Sequence, residues 1–226
     1  MYKRQPEAAS SNILEPSDAA SIVWQRLNPG HWPFGLEVLP NDTVLVGGAV
    51  RDALLDRLPS RPDLDLVVTG KALALTRQLA ASLDGTAVVL DERRDIGRLV
   101  LRGWTIDIAR LEGRSLLEDL QRRDYRINAM ALPLQPGNAL VDPTGGLKDL
   151  REGRLVAIRE NNLKDDPLRL LRGLRLMAEI PLRLDPQTRT WIRCHRNLLG
   201  QSAPERILAD CLLYTSDAAD DVRSVD

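Results

Sequence analysis

Two neighbouring segments, VLVGGAVRD at residues 44–52 and RPDLDLVV at residues 61–68, decide the fold. The first is a short apolar strand that enters two glycines and then a helical pattern, and the second is an apolar strand that opens with two aspartates. Outward from these segments, strand-like and helix-like runs alternate as far as WTIDIAR at residues 104–110. Alternation of this kind predicts an α/β domain with a mixed sheet.

The chain divides into four predicted regions. Residues 1–40 form an N-terminal extension with one helix, and residues 41–152 form the α/β head. From Gly153 the pattern is helical, with prolines between the segments 160–179, 186–199 and 204–213, so residues 153–213 are predicted to be all-α. Residues 214–226, YTSDAADDVRSVD, have no apolar face and are predicted to be a non-native or disordered tail.

Composition narrows the classes of function. The chain has a formal net charge of −1, no secretory leader pattern, and no apolar run near the roughly 20 residues that cross a bilayer. We therefore expect a cytoplasmic protein with no membrane partner. Two cysteines and two histidines disfavour a disulfide framework or a zinc site. With one Phe and three Tyr, any bound RNA is expected to be held through its backbone rather than by stacked aromatic side chains.

Three aspartates are candidates for a metal site. Asp63 and Asp65 are two residues apart at the start of a strand, so their side chains lie on the same face. Asp107 alternates with apolar residues in the strand 104–110, and the three carboxylates converge if that strand lies beside the first. Such carboxylates suit Mg²⁺, and two ions held there would activate an attacking hydroxyl and a triphosphate. The alternative for Asp63 and Asp65 is a solvated strand end.

The glycines of VGGAVRD are candidates for phosphate binding. At a strand-to-helix turn, Gly47 and Gly48 let backbone N–H groups approach an anion, and Arg51 lies one turn into the helix. An ordinary tight turn is the alternative, and two glycines alone favour it.

The segment QRRDYRINAMAL at residues 121–132 is a candidate for binding the rest of a nucleotide. Arg123 suits a phosphate, while Asp124 and Asn128 suit ribose hydroxyls. A solvated, self-paired charge cluster is the alternative, and the spacing alone does not decide between them.

The segment DDPLRLLRGLRLMAEI at residues 165–180 predicts a helix with Asp166 at the N-cap and Pro167 in the first turn. Arg169, Arg172 and Arg175 lie opposite an apolar stripe. An amphipathic helix with a solvated basic face is one interpretation. The other is that an Asp and an Arg one turn apart present acceptors and donors to the edge of a base.

Taken together and in this order, the motifs are highly specific. They resemble the signatures of the class II tRNA nucleotidyltransferase and bacterial poly(A) polymerase family: VGGAVRD followed by DLD, RRDYRINA, DPTGGLKDL at residues 142–150, DDPLRLLRGLR, and PERI at residues 204–207. The resemblance extends over residues 44–210. It implies the nucleotidyltransferase fold, a five-stranded α/β head followed by a helical neck that recognises the nucleotide base.

The resemblance also implies a role for each candidate residue. Asp63 and Asp65 would be ligands of the catalytic Mg²⁺, with Asp107 as a third catalytic carboxylate. The residues implied in nucleotide binding are Gly47, Gly48, Arg51 and Asp52 at the triphosphate, Arg123, Asp124 and Asn128 at the phosphate and sugar, Asp166 and Arg169 at the base, and Arg172 and Arg175 in support of these two or of the phosphates.

The implied activity is template-independent transfer of AMP or CMP from ATP or CTP to the 3′ end of an RNA, with tRNA as the main expectation. CCA, CC and A addition and poly(A) tailing remain open, because the members of the family differ in a flexible head loop, here near residues 91–98. A non-catalytic nucleotide- or RNA-binding module is the rival of a different class. Family members continue into helical body and tail domains that hold tRNA, whereas here the pattern stops soon after Asp210, which indicates a C-terminally truncated member.

Overall fold

The computed structural model describes residues 14–208. The helices are α1 (Pro16–Leu27), α2 (Gly48–Leu54), α3 (Ala72–Leu83), α4 (Leu116–Gln121), α5 (Gly146–Arg151), α6 (Glu160–Asp165), α7 (Leu168–Glu179) and α8 (Pro186–His195). The strands are β1 (Val44–Val46), β2 (Leu64–Val68), β3 (Thr86–Asp91), β4 (Ile96–Leu101), β5 (Trp104–Arg110), β6 (Ala131–Pro133), β7 (Arg154–Leu155) and β8 (Arg183–Leu184). Short 3₁₀ turns connect several of these elements.

Six strands form one mixed sheet in the order β3–β4–β5–β2–β1–β6. β2 and β5 are parallel, and the other neighbouring pairs are antiparallel. The predicted α/β class and mixed sheet are confirmed, but the implied number of five strands is wrong. The additional strand, β6, pairs with β1 over three residues, a length too short to show alternation in the sequence.

Helices α1, α2 and α3 cover one face of this sheet. Leu64 and Leu66 of β2 and Ile106 and Ile108 of β5 are buried against them. Because successive side chains of a strand point to opposite faces, Asp65 lies on the other face. Helix α1, from the region predicted to be an N-terminal extension, contributes to the same core.

The opposite face is covered by α4 and the segment that follows it. Val44, Val46 and Val67 pack there against Leu120 of α4 and against Ala129. Toward β4 and β5 this face carries charged side chains that reach solvent. The covered and uncovered parts of the face meet at the aspartates of β2 and β5.

The second part of the chain packs around its own apolar cluster. Leu163 of α6 and Leu176 of α7 are buried in it, together with Tyr125, which precedes this part in the sequence. The all-α prediction is wrong in one respect, since Arg154–Leu155 and Arg183–Leu184 form a small parallel sheet, β7–β8. Strands of two residues leave no periodic signal in a sequence.

The helical segment predicted over residues 160–179 contains two helices, with the break where Asp166 and Pro167 were predicted to begin one, but the N-cap is Pro167 rather than the predicted Asp166. Helix α6 ends at Asp165 and α7 begins at Leu168, because Pro167 has no N–H with which to continue the hydrogen-bond ladder. Asp166 lies at this break, and its carbonyl oxygen accepts a hydrogen bond from the N–H of Arg169 at 3.0 Å. The break therefore fixes where the first turn of α7 starts.

Three predicted regions reach beyond the described residues. Residues 1–13 of the predicted extension, residues 209–213 of the predicted all-α region and the predicted tail at 214–226 lie outside the range 14–208. The boundary near Gly153 stays a prediction. Within residues 14–208, no helix has the length and apolar character needed to cross a membrane.

Candidate active site

The aspartates of β2 and β5 meet at the centre of the sheet. Asp65 and Asp107 are direct partners across the parallel β2–β5 pair, which confirms that the two strands are neighbours. Asp65 is also the partner of Val46 across the antiparallel β1–β2 pair. Gly47 follows Val46 immediately, so the glycine turn reaches Asp65 from the side opposite to Asp107.

The backbone at position 47 requires glycine, which has no side chain. Its φ of 78° lies in the region that favours glycine, and a Cβ at this position would stand 3.0 Å from Oδ2 of Asp65. The same Cβ would be 3.9 Å from Nη1 of Arg123. The turn therefore lies directly on the carboxylate, with the Arg123 guanidinium beside it.

Asp65 holds a negative charge that its surroundings compensate only in part. Burial raises the pKa of Asp65 to about 6, the charges of Asp107 and Asp63 also raise it, and Arg123 opposes them. Asp63 precedes β2 and is exposed, two residues from Asp65. Oxygen donors around an under-compensated carboxylate fit a hard divalent cation such as Mg²⁺.

Asp107 is held by Arg98, a residue that the sequence interpretation missed. The Nε and Nη2 atoms of Arg98 donate to the two carboxylate oxygens of Asp107 at 2.7 and 2.9 Å. The expected convergence of three carboxylates is not seen within residues 14–208, because this bidentate pair directs both oxygens of Asp107 to β4. The sequence contains the information needed to predict this pair, because a two-residue turn at Arg102 and Gly103 sets a strand register in which Arg98 is opposite Asp107.

Arg51 is the centre of a polar group at the start of α2. Its Nε and Nη2 donate to the Asp52 carboxylate at 2.9 and 2.7 Å, and its Nη1 donates to Oδ1 of Asn128 at 2.6 Å. Arg51 is buried, so these bonds compensate its charge within the protein. Gly48 lies beside this group, since a Cβ there would be 3.6 Å from Nη2 of Arg51.

Asp124 connects that group to α7. Its Oδ2 accepts a hydrogen bond from Nη1 of Arg172 at 2.9 Å, while its Oδ1 accepts from the N–H of Tyr125 at 2.7 Å and from Nδ2 of Asn128 at 3.4 Å. Burial alone would raise the pKa of Asp124, but Arg172 and the Tyr125 N–H hold it below its usual value. Asp124 is therefore a fixed carboxylate at the point where the two cores meet.

Two further residues, Asp119 and Asn162, hold the arginines in position. Neither was predicted from the sequence. Asp119 of α4 accepts hydrogen bonds from Arg123 at 3.0 and 3.3 Å. Asn162 of α6 donates to the carbonyl oxygens of Gln121 and Arg123 at 2.8 and 2.7 Å. Its own carbonyl oxygen accepts from Nη1 of Arg169 at 3.0 Å.

The remaining candidates lie around the break before α7. Arg169 also donates to the carbonyl oxygen of Arg122 at 2.8 Å, and burial lowers its pKa. Asp166 lies 3.5 Å from a guanidinium nitrogen of Arg206. Arg175 pairs with Glu179 at 3.4 Å, one turn further along α7. These residues are near one another in the chain, and the backbone N–H of Arg169 donates to Asp166, but no described hydrogen bond joins their side chains.

The loop predicted at residues 91–98 is shorter than expected. Strand β3 ends at Asp91 and β4 begins at Ile96, so residues 92–95 form the connection. The carboxylate of Asp91 accepts hydrogen bonds from the N–H groups of Arg93 and Arg94, both at 3.0 Å. Asp95 caps α3, accepting hydrogen bonds from its first two N–H groups at 3.1 and 2.8 Å. The two carboxylates therefore fix this turn at both ends.

Comparison with known proteins decides the family. A family model of the poly(A) polymerase head domain matches residues 43–115 and 108–156, just over half of the chain. The chain belongs to the tRNA nucleotidyltransferase and poly(A) polymerase family. A CC-adding tRNA nucleotidyltransferase of Synechocystis sp. is 44% identical over 178 residues, which cover 79% of this chain and 42% of the relative. An A-adding tRNA nucleotidyltransferase of Deinococcus radiodurans is 40% identical over 158 residues, which cover 70% of this chain and 35% of the relative.

Solved structures of tRNA nucleotidyltransferases share the fold. A complex of a CCA-adding enzyme with CTP aligns with a TM-score of 0.65 and 31% identity, over 74% of this chain and 42% of that one. A tRNA nucleotidyltransferase complexed with a primer tRNA and an incoming ATP analog aligns with a TM-score of 0.64 and 30% identity, over 76% of this chain and 52% of that one. The nucleotidyltransferase fold implied by the motifs is thereby confirmed, and the chain spans about half or less of the length of these relatives.

Proposed function

We propose that this chain contains the catalytic head and the nucleotide-recognition helices of an enzyme that adds CMP or AMP, from CTP or ATP, to the 3′ end of tRNA without a template. Head and neck are proposed to meet near Gly153. The chain covers 42% of its Synechocystis relative, so we can only propose, for this chain, the activity of that whole protein. Poly(A) addition to other RNA is the alternative within the same family.

One observation carries the proposal. Asp65 lies between Asp107 on the neighbouring strand and the turn at Gly47 on the other side. A nucleotidyltransferase must hold a triphosphate against carboxylates, and a turn without side chains lets the phosphate come close to the backbone N–H groups. Arg123 beside the turn adds positive charge where phosphate oxygens would lie.

The residues present fit a divalent cation, for which we propose Mg²⁺. Asp63 and Asp65 are its proposed ligands, and Asp107, whose two oxygens are paired with Arg98 in this structure, is the proposed third carboxylate. When bound, Mg²⁺ would neutralise phosphate charge and favour ionisation of the attacking 3′ hydroxyl. The protein's own contribution is to hold these oxygens and the substrates in place.

The nucleotide is proposed to lie along the polar group that joins the two cores. Gly47, Gly48, Arg51 and Asp52 are proposed at the triphosphate, Arg123, Asp124 and Asn128 at the phosphate and ribose, and Asp166, Arg169, Arg172 and Arg175 at the base. Arg169 supports this because two carbonyl oxygens fix its guanidinium, at 2.8 and 3.0 Å. Donors held in fixed positions can distinguish one base edge from another without a nucleic-acid template.

Of the two nucleotides, we propose that CMP is the one transferred preferentially. The Synechocystis relative, at 44% identity, is CC-adding, whereas the A-adding relative of Deinococcus radiodurans is 40% identical. We therefore expect this chain to incorporate CTP more efficiently than ATP on tRNA that ends before its CCA sequence.

The test is incorporation of labelled CTP and ATP, separately and together, on tRNA ending before CCA, with Mg²⁺ and with chelator. The variant Asp63→Ala/Asp65→Ala should lose incorporation, because the proposed cation ligands are gone. The matched control is Asp18→Ala/Glu37→Ala, which removes two exposed carboxylates far along the chain from the site.

The outcomes separate the alternatives. Incorporation that needs Mg²⁺ and the two aspartates supports the enzyme class, and the nucleotide pattern distinguishes CC, A and CCA addition from poly(A) tailing. Unchanged incorporation by Asp63→Ala/Asp65→Ala would overturn the proposal. A chain that binds CTP or ATP but incorporates neither would instead be a non-catalytic nucleotide-binding module.

A further inference from the structure

A strongly cationic cavity lies next to the site described above. Its volume is about 370 Å³, at the small end of ligand pockets in proteins. Its lining residues are Arg93, Arg94, Arg110, Leu111, Glu112 and Arg122. Four arginines against one glutamate favour an anion. None of these side chains is among those proposed above to bind the nucleotide, but the carbonyl oxygen of Arg122 accepts from Arg169, so the cavity adjoins that site.

Two of the four arginines are already paired and two are available. The Glu112 carboxylate forms ion pairs with both, 3.1 Å from Nη2 of Arg122 and 3.5 Å from Nε of Arg94. Within residues 14–208, the guanidinium groups of Arg93 and Arg110 have no hydrogen bond or ion pair. Two uncompensated guanidinium groups at one cavity leave planar donor sets for a ligand with several acceptor oxygens.

The cavity is held in shape by the turn before β4. The Asp91 carboxylate accepts hydrogen bonds from the N–H groups of Arg93 and Arg94. The N–H of Arg110 donates to the carbonyl oxygen of Asp95 at 3.1 Å, which fixes this turn against the end of β5. The arginines thus project from backbone positions that are set before any ligand binds.

The same scaffold connects the cavity to the carboxylates. The N–H of Glu112 donates to Oδ1 of Asp119 at 3.0 Å, and Oδ2 of Asp119 holds Arg123. A Cβ at Gly47 would meet both Arg123 and Asp65, so Arg123 also borders the proposed triphosphate site. One buried carboxylate, Asp119, therefore holds Arg123 at the proposed triphosphate site and the backbone of Glu112 at the cavity.

The strand register places the backbone of Arg110 beyond the carboxylates as seen from the glycine turn, at a position of the sheet face opposite to that of Asp107. Arg110 is the partner of Val68, three residues further along the strands than the Asp65–Asp107 pair. Three residues of strand correspond to roughly 10 Å. The turn at Gly47 adjoins the opposite end of this path, next to Val46. In phosphoryl transfer the attacking and leaving oxygens are in line, so the RNA and the triphosphate must approach the carboxylates from different sides.

The chemistry of the lining favours a phosphate over a base. Leu111 is the only apolar residue that lines the cavity within the described part of the chain, and no aromatic side chain is present there on which a base would stack. We propose that this cavity binds a backbone phosphate of the RNA primer near its 3′ end, on the far side of Asp65 and Asp107 from the triphosphate. The identity of the ligand as RNA rests on the proposed function.

The test compares two pairs of arginines. Arg93→Ala/Arg110→Ala removes the two available guanidinium groups, and the control Arg77→Ala/Arg189→Ala removes two exposed arginines from α3 and α8. Binding of fluorescent tRNA lacking its CCA end is measured by anisotropy between about 50 and 200 mM salt. Binding of CTP and ATP is measured by calorimetry on the same proteins.

The cavity variant should bind the tRNA about tenfold more weakly than the unaltered chain. The slope of log affinity against log salt should fall by about 0.7–0.9, the value for one lost phosphate contact. CTP and ATP affinities should stay the same, and the control pair should change RNA binding by less than about twofold.

Three results would overturn the proposal. Loss of CTP or ATP affinity with unchanged RNA affinity would mean that the cavity holds the triphosphate. Equal losses in the cavity and control variants would mean that only overall charge matters, and the absence of tRNA binding by the unaltered chain at low salt would exclude a primer site. Because binding is measured without turnover, a chain that binds RNA through this cavity but incorporates no nucleotide contradicts the proposed function alone.

Discussion

Asp65 carries a charge that opposes folding, which is expected of a residue kept for binding a cation. Its pKa is raised to about 6 in the folded protein from an ordinary value of 3.8. The ionised form is therefore less favourable in the folded than in the unfolded chain, and this cost is complete above about pH 6. It decreases as the pH falls through 6 toward 3.8, where the unfolded chain is also protonated.

We therefore predict that Asp65→Asn stabilises the chain and inactivates it. In chelator at pH 7 to 8, the free energy of unfolding should rise by about 1–3 kcal/mol, and the gain should shrink as the pH is lowered to 5. Nucleotide incorporation should fall at least about a hundredfold. Thermal melts at several pH values and the incorporation assay measure the two effects, and Asp63→Asn, at an exposed position, is the control for stability. A lower melting temperature of Asp65→Asn at pH 7 would contradict the argument.

Gly173 on α7 is a second residue whose role only the structure reveals. A Cβ at this position would overlap the hydroxyl of Tyr125, which donates a hydrogen bond to the carbonyl oxygen of Arg169 at 2.9 Å. Tyr125 is fully buried, so it has little room to move. In the sequence, a glycine inside an amphipathic helix is only an unfavourable helix former.

Gly173→Ala is expected to destabilise the chain by about 1–3 kcal/mol in spite of the better helix propensity of alanine. The control is Gly200→Ala, since nothing lies within 4 Å of a Cβ at Gly200. Urea unfolding of both variants gives the comparison. Adding Tyr125→Phe should recover part of the loss in Gly173→Ala, because it removes the hydroxyl in the way. If Gly173→Ala is as stable as Gly200→Ala, the close packing of α7 on Tyr125 is not as described.

At the scale of elements, the long strands and helices follow from the sequence and the short ones do not. Strand β5 has the predicted bounds of 104–110, because its polar and apolar residues alternate over its whole length. Strands β6, β7 and β8 contain two or three residues each and could not be found in this way. The partner of Asp107 could have been predicted from the sequence, because the turn at Gly103 determines the register that pairs Arg98 with Asp107.

Contacts between distant elements lie beyond sequence reasoning altogether. Asn162 of α6 donates to the carbonyl oxygens of Gln121 and Arg123, which are 41 and 39 residues earlier in the chain. No periodicity relates such positions. Arg123, predicted to contact a phosphate, lies near Asp65 in the structure, but the element that fixes its backbone was not identified from the sequence.

Asn162→Ala is therefore expected to weaken the junction between α6 and the segment after α4. Two carbonyl oxygens lose a shared donor, which should lower the free energy of unfolding by about 1–3 kcal/mol. Asn161→Ala is the matched control, because Asn161 is exposed in the same helix and should change stability by less than about 0.5 kcal/mol. Urea unfolding compares the two. Equal stability of the two variants would show that the carbonyl oxygens find other donors.

At the scale of the whole molecule, one polar group joins the two apolar cores. It runs from Asp52 through Arg51 and Asn128 to Asp124, and then to Arg172 on α7. Helix α2 packs in the first core and α7 in the second. Every member of this group is also a candidate for nucleotide binding, so the site lies where the two parts of the chain must keep a fixed relation.

This arrangement predicts an energetic coupling between its two ends. In a double-mutant cycle, Asn128→Ala and Arg172→Met both act on Asp124, whose side chain is only 4% exposed. The two losses should differ from additivity by about 0.5–3 kcal/mol in urea unfolding. The loss from Arg172→Met alone should be largest at pH 7 and smaller near pH 4. In the unaltered chain the lowered pKa of Asp124 contributes stability above 3.8, and in the variant protonation relieves the unpaired buried carboxylate.

A second cycle provides the control. Asn128→Ala combined with Arg189→Met, an exposed arginine of α8, should be additive within about 0.5 kcal/mol because the two residues share no partner. Additivity in both cycles would mean that Asp124 does not transmit stability from one core to the other. Coupling in the first cycle alone would show that the proposed nucleotide site and the junction of the cores are the same structure, so that binding of CTP or ATP there should stabilise both cores together.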